Sequence, residues 1–201
     1  MTAGVPDIWN HNIQYQKVLM SAVPERCGIA LDLGCGQGFL LELLAERAQQ
    51  VVGIDRDGPS LAEARQRVEG FDNVRLVEGD AMTHDFGQRF DAVLSVAVLH
   101  HLSLEAGLQR MQHLTAPGGV VGVVGLARSG SPQDLVFDGF GFAETRLRRL
   151  RRPHTMVTAP ISDPEETYRE VRKAARRVLP GVRFRRHTLF RYSLVWTKPR
   201  D

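Results

Sequence analysis

The chain has 201 residues, 43% hydrophobic and 24% charged, with a formal net charge of +3. That is the length and composition of one globular domain with its own core, and no apolar run approaches the ~20 residues that cross a bilayer. Two cysteines, Cys27 and Cys35, in no metal-ligand spacing, exclude a disulfide scaffold and argue for no metal site.

Residues 1–7 lack the basic-then-apolar pattern of a secretion signal, so a cytoplasmic, reduced protein is expected. The net charge hides an asymmetry: residues 1–126 carry 9 Lys/Arg and 15 Asp/Glu, and residues 127–201 carry 17 and 8. The basic excess gathers in residues 146–152 and at Arg183, Arg185, Arg186 and Arg191. Such runs are usually solvated faces, and they also suit an acidic substrate or nucleic acid.

In chain order, Ile8, Tyr15, Val18 and Leu19 recur at helical intervals and predict a leading helix over residues 8–22, stopped by Pro24. Residues 29–33 form a short apolar run suited to a buried parallel strand. The glycines of Gly34-Cys35-Gly36-Gln37-Gly38 then make a turn where no side chain keeps a ligand from the backbone. Leu40, Leu43, Leu44 and Ala48 predict that this turn opens a helix whose free N–H groups face the loop. The dinucleotide fingerprint needs a third glycine where this chain has Phe39, and no P-loop Lys-Ser/Thr follows. Asp32, just before the loop, repels a pyrophosphate and suits a ligand that brings an ammonium group.

Residues 51–55 predict a second buried strand ending in Asp55, ~20 residues past the loop, where such folds place a carboxylate on ribose hydroxyls. Ser60-Leu61-Ala62-Glu63 has the form of a capping box, and Leu61, Ala64 and Val68 form the stripe of a helix closed by Gly70. Residues 74–80 alternate into a third strand that again closes on an acid, Asp80. Residues 90–96 form a fourth strand, followed by Ala97-Val98-Leu99-His100-His101-Leu102. Leu104, Leu108, Met111 and Leu114 mark a helix, Ala116-Pro117-Gly118-Gly119 a tight turn, and residues 120–126 a fully buried fifth strand. Residues 127–160 break the rhythm and read as an insertion on the substrate side, with Ser131 capping a short helix. Asp163-Pro164-Glu165-Glu166 predicts another helix start, with Tyr168, Val171, Ala175 and Val178 as its buried stripe. Residues 182–188 and 189–197 read as an antiparallel pair of strands.

The D-x-G-x-G-x-G order of Asp32, Gly34, Gly36 and Gly38 resembles the first motif of class I S-adenosylmethionine-dependent methyltransferases. F-D-A-V-L-S at Phe90 to Ser95 and V-L-H-H-L at Val98 to Leu102 resemble the fourth-motif region of the members that act on small molecules. The resemblance runs from Asp32 to about Trp196. It implies one domain over residues 1–201, an α/β, Rossmann-like, doubly wound seven-stranded sheet, mostly parallel with one antiparallel C-terminal strand and helices on both faces. The implied cofactor, S-adenosylmethionine, brings the ammonium group that suits Asp32.

The same resemblance assigns cofactor binding to Asp32, Gly34, Cys35, Gly36, Asp55, Arg56, Asp80, Ala81, Met82 and Val96. In it Asp80 accepts from the adenine amino group, and the Ala81 N–H meets the ring edge. The leading helix becomes a lid, with Tyr15 and His11 as its contacts. His101 and His100 are the candidate general bases, since an imidazole titrates near neutrality. The expected function is methyl transfer to an unidentified small-molecule acceptor, without membrane partner, by a monomer or homodimer. The N/D-P-P-Y/F signature of enzymes that methylate nucleic-acid base amines is replaced here by Ser95-Val96-Ala97-Val98. RNA stays an alternative acceptor because of the basic C-terminal half, and a non-catalytic S-adenosylmethionine-binding protein is the other alternative.

Overall fold

The computed structural model describes residues 11–130, 164–188 and 190–200. Most of the expected insertion, the arginine run at 146–152 and Asp163 lie outside the described residues. Seven strands form one sheet: β1 (Cys27–Leu33), β2 (Ala48–Asp55), β3 (Val74–Glu78), β4 (Phe90–Val96), β5 (Thr115–Leu126), β6 (Arg183–Arg186) and β7 (Arg191–Thr197). Their order is β3-β2-β1-β4-β5-β7-β6. β7 runs antiparallel to both its neighbours, while β1 to β5 pair in parallel. This is the expected plan, with the strand order reversing between β1 and β4, where open α/β sheets bind ligands.

Side chains alternate across the strands and so feed two cores. Leu31 and Leu33 point to the face covered by helices α4 (Leu104–Leu114) and α5 (Tyr168–Val178), where they join Leu108, Met111, Val171 and Trp196. Ala30 points to the other face, packed by α1 (His11–Met20), α2 (Phe39–Ala45) and α3 (Gly58–Arg67) through Leu19, Leu41, Leu44 and Leu61. Each fully buried leucine contributes roughly 1.5–3 kcal/mol. The sheet is therefore held from both sides, and its carboxyl edge is left to loops.

Several local expectations are corrected. α2 buries Leu40, Leu41, Leu44 and Ala45 instead of Leu43 and Ala48. The helix is seven residues long, and Ala48 already opens β2. α3 is capped by Asp57, whose carboxylate accepts from the Ser60 N–H at 3.0 Å, so Ser60 lies inside the helix. Residues 116–119 form a bulge within β5: its register with β4 jumps from Phe90–Thr115 to Ala92–Val120. The β7 end seals that bulge, with the Gly118 N–H donating to Lys198 O and the Lys198 N–H to Gly119 O. α5 starts after Thr167, which forms a reciprocal capping box with Glu170, and not at Pro164. β3 ends at Glu78, leaving Asp80 in the turn beyond it. Among the described residues no helix is long and apolar enough to cross a membrane.

Candidate active site

A cavity of about 540 Å³ opens at the carboxyl ends of β1, β2 and β4. Its floor is the glycine loop. The Gly34 and Cys35 N–H groups both donate to Ile54 O, at 2.9 and 3.0 Å, which ties the loop to the end of β2. Gly36 has φ +49°, and a Cβ there would meet nothing within 4 Å, because that space is the cavity. Gly34 has φ +77°, and a Cβ would lie 2.3 Å from a Val98 methyl, so the segment after β4 packs directly on the loop. From α3, Arg67 Nε donates to Gln37 O at 2.8 Å while its guanidinium covers the Phe39 ring at 3.7 Å. Phe39, where a dinucleotide fold has glycine, is thus a packing surface for a cation.

Three acids stand along the rim. Asp32 is 2% exposed and lines the cavity; burial first, and then the Asp55 charge, push its pKa up to about 8. Asp55 is pinned by backbone: Oδ2 accepts from the Gly36 N–H at 2.8 Å and Oδ1 from the Asp57 N–H at 3.0 Å. Asp80 Oδ1 accepts from the Met82 N–H at 2.8 Å, and the Asp80 carbonyl accepts from His84 at 2.9 Å. α4 clamps that turn from behind, where Arg110 donates to Ala81 O at 3.1 Å and to His84 O. Cys35 also lines the cavity; burial, then Asp32 and Asp55, hold its thiol well above the usual range, so it is unreactive there.

The fourth wall follows β4. Ser95 Oγ donates to Leu33 O at 2.9 Å, locking the ends of β1 and β4 together. Ala97 then takes φ +56° while its N–H reaches Val124 O at 2.7 Å. A left-handed alanine costs about 1–2 kcal/mol, and here it swings Val98 over the glycine loop and brings His101 to the cavity wall.

Among the residues singled out from sequence, Asp32, Gly34, Cys35, Gly36, Asp55, Arg56, Asp80, Ala81, Val96 and His101 converge on this one cavity. Met82 is not part of its lining; its N–H donates to Asp80 Oδ1 at 2.8 Å. His100 is not part of it either. Its ring lies 4.0 Å from that of His101, its Nδ1 is buried without a hydrogen-bond partner, and burial, then His101 and Arg191, pull its pKa down to about 4. Tyr15 is buried away from the cavity against the β6–β7 turn, its hydroxyl 3.0 Å from Thr188 Oγ1. The side chain of His11 lies outside the described residues. The α1 residue that does line the cavity is Gln16, buried and polar. A glutamine breaking an apolar helical stripe was the available signal for it. Among the described residues no group of His, Cys, Asp or Glu could hold a metal ion.

A methyltransferase-domain family model matches residues 30–119. An uncharacterized methyltransferase of Mycobacterium tuberculosis is 34% identical over 194 residues, covering 95% of this chain and 98% of its own. The ubiquinone biosynthesis O-methyltransferase of Pseudomonas aeruginosa is 35% identical over 138 residues, covering 65% of this chain and 58% of its own. Among solved structures, the complex of DhpI with S-adenosylhomocysteine superposes with a TM-score of 0.65 at 20% identity, covering 94% of this chain and 84% of that one. At that identity the superposition speaks for the fold. A relative aligned almost end to end at 34% speaks for more: the chain belongs to the class I S-adenosylmethionine-dependent methyltransferases, with S-adenosylmethionine as its cofactor.

Proposed function

We propose that the cavity holds S-adenosylmethionine with its amino-acid end at Asp32, its ribose on Asp55 and its adenine at the Asp80 turn, and that the methyl acceptor is a small molecule arriving beside His101. The observation that carries this reading is Asp32. A buried carboxyl facing a cavity, with a second carboxylate beside it, is costly when charged unless a cation joins it. The ammonium of the cofactor supplies that cation, and Asp55, already oriented by two backbone N–H groups, offers its remaining lone pairs to a vicinal diol. Arg56 and Val96 supply flanking walls, and the Asp80 turn offers a carboxylate beside the backbone of Ala81.

When bound, the cofactor supplies a methyl group already activated by a sulfonium. The chain's tasks are then alignment and exclusion of water, with orientation supplying about 7–11 kcal/mol of the barrier in favourable cases. His101, at the cavity wall, accepts the proton of an acceptor hydroxyl or amine. His100, off the wall and with a lowered pKa, is a poor base at neutral pH. A small acceptor is favoured by Ser95-Val96-Ala97-Val98 after β4, and by the Pseudomonas relative's name as a ubiquinone biosynthesis O-methyltransferase. The setting is the reducing cytoplasm, where Cys27 and Cys35 remain buried thiols.

The test is methyl transfer from labelled cofactor into a metabolite pool and, separately, into RNA. Label in the small-molecule fraction is expected; label confined to RNA would reverse the choice of acceptor, and binding without transfer to either would make the protein a cofactor-binding module. With the acceptor in hand, His101→Ala should cut kcat at least a hundredfold while cofactor affinity changes less than threefold, in the range of general-base removal. Equal losses in both would give His101 a binding role only.

A further inference from the structure

Beside the cofactor cavity, the same rim carries residues that the cofactor reading leaves unused. β6 ends at Arg186 and β7 begins at Arg191, opposite Leu126 at the end of β5, so the β6–β7 turn stands at the carboxyl end of the parallel strands. The Ala127 N–H donates to Phe190 O at 2.9 Å and fastens the turn to β5. From α1, the Tyr15 ring lies 4.6 Å from His187, whose Nε2 is 2.8 Å from Ser193 Oγ. From α5, the Tyr168 ring lies under the Arg186 guanidinium at 4.2 Å. His100 closes the group on the cavity side, its ring tilted against that of His101 at 4.0 Å, with its Nδ1 buried and unpartnered.

The charge here is positive. Burial lowers the Arg191 pKa only to about 10, so it stays a cation at neutral pH, and its influence reaches Tyr15, Tyr168 and His100. Burial, then Arg185, lowers the pKa of His187 as well. The carboxylate felt on the α5 side is Glu166, which acts on Tyr192 and helps raise its phenol pKa. A guanidinium presents N–H donors in a planar fork that matches a carboxylate or a phosphate, and it does so best where water is thin. Phe190, 49% exposed at φ +60°, sets an apolar ring next to Arg191.

We propose that this rim is the acceptor's anion site: the methyl acceptor carries a carboxylate or phosphate that Arg186 and Arg191 engage, an apolar body that lies on Phe190, and a polar edge that His100 Nδ1 meets next to His101. The proposal rests on the methyltransferase reading of the cavity and adds the chemical class of its acceptor. The basic excess of the second half of the chain then has a local purpose at its strand ends.

The test uses the full chain saturated with S-adenosylhomocysteine, the His ring resonances being followed by NMR while benzoate, benzamide or inorganic phosphate is added. Benzoate or phosphate should shift the His100 ring saturably, and whichever of the two binds more tightly names the anion. Benzamide, of the same shape without the charge, should bind at least tenfold more weakly than benzoate, and Arg186→Gln and Arg191→Gln should each weaken the preferred anion at least tenfold, with melting curves as the check on folding. If Arg191→Gln does not fold, the wild-type pair of benzoate and benzamide decides. Equal binding of that pair, or no shift of His100 with either anion, would overturn the proposal. Failure of S-adenosylhomocysteine to bind, with benzoate still reaching His100, would instead overturn the cofactor placement and leave the anion site standing.

Discussion

Asp32 is one residue doing two things with one proton. In the protein without ligand its pKa is raised to about 8, so at pH 6.5 it is held mainly as the neutral acid. An arriving ammonium favours the carboxylate, and the proton must leave. Calorimetry of S-adenosylhomocysteine at pH 6.5, in buffers of different ionisation enthalpy, should therefore show release of about one proton, absent in Asp32→Asn. Release of no proton by the wild type would remove Asp32 from the amino-acid end. The same shift has a sign for stability. Between pH ~4 and ~8 the folded ligand-free protein binds a proton at Asp32 that the unfolded chain does not, so this group's contribution falls as pH rises through that window, by up to about 1.4 kcal/mol per pH unit. Thermal melts of the wild type should lose ground against Asp32→Asn on going from pH 5 to pH 8, and parallel pH profiles would contradict this.

Elements place these residues, and two helices do so with arginines. Arg67 on α3 holds the glycine loop at Gln37 O, and Arg110 on α4 holds the Asp80 turn at Ala81 O. Arg110 touches the turn's backbone and does not line the cavity. Arg110→Ala should therefore raise KM for the cofactor about fivefold, roughly 1 kcal/mol for the lost hydrogen bonds, with kcat within twofold. A fall in kcat at unchanged KM would show that the turn does something other than bind. Thr167 is the opposite case: its capping box with Glu170 starts α5 away from the cavity. Thr167→Ala should cost about 1 kcal/mol of stability in denaturant melts and leave cofactor affinity within twofold. Neither arginine contact was legible in the sequence, because each joins segments 26 to 30 residues apart and neither residue stands in a motif. The caps were half legible. Asp57 took the helix that Ser60 advertised, since Pro59 sits well in a first turn and an Asp just before it supplies the oxygen.

For the whole molecule, short apolar runs, with alternation at the third strand and the last pair, were enough to find all seven strands, but the plan of the sheet came from the family likeness and its order only from the structure. Periodicity places a strand; it does not pair it. The bulge at residues 116–119 shows the limit well, because Pro-Gly-Gly reads as a turn until Lys198, just past the end of β7, seals it as part of β5. The cavity was more legible than the packing, since glycines and acids at strand ends stand out as types while Gln16 and Arg110 do not. Tyr15, read as a cofactor contact, stands at the β6–β7 rim, and His100, read as a candidate base, lies off the cavity wall within reach of the Arg191 charge.

The decisive measurement is a crystal structure of the protein grown with S-adenosylhomocysteine. The expected result is the amino group at Asp32, both ribose hydroxyls on Asp55 and the adenine ring against the Asp80 turn. Density for the ligand elsewhere, or an orientation that puts the ribose away from Asp55, would contradict the placement of the cofactor and with it the role given to the three acids.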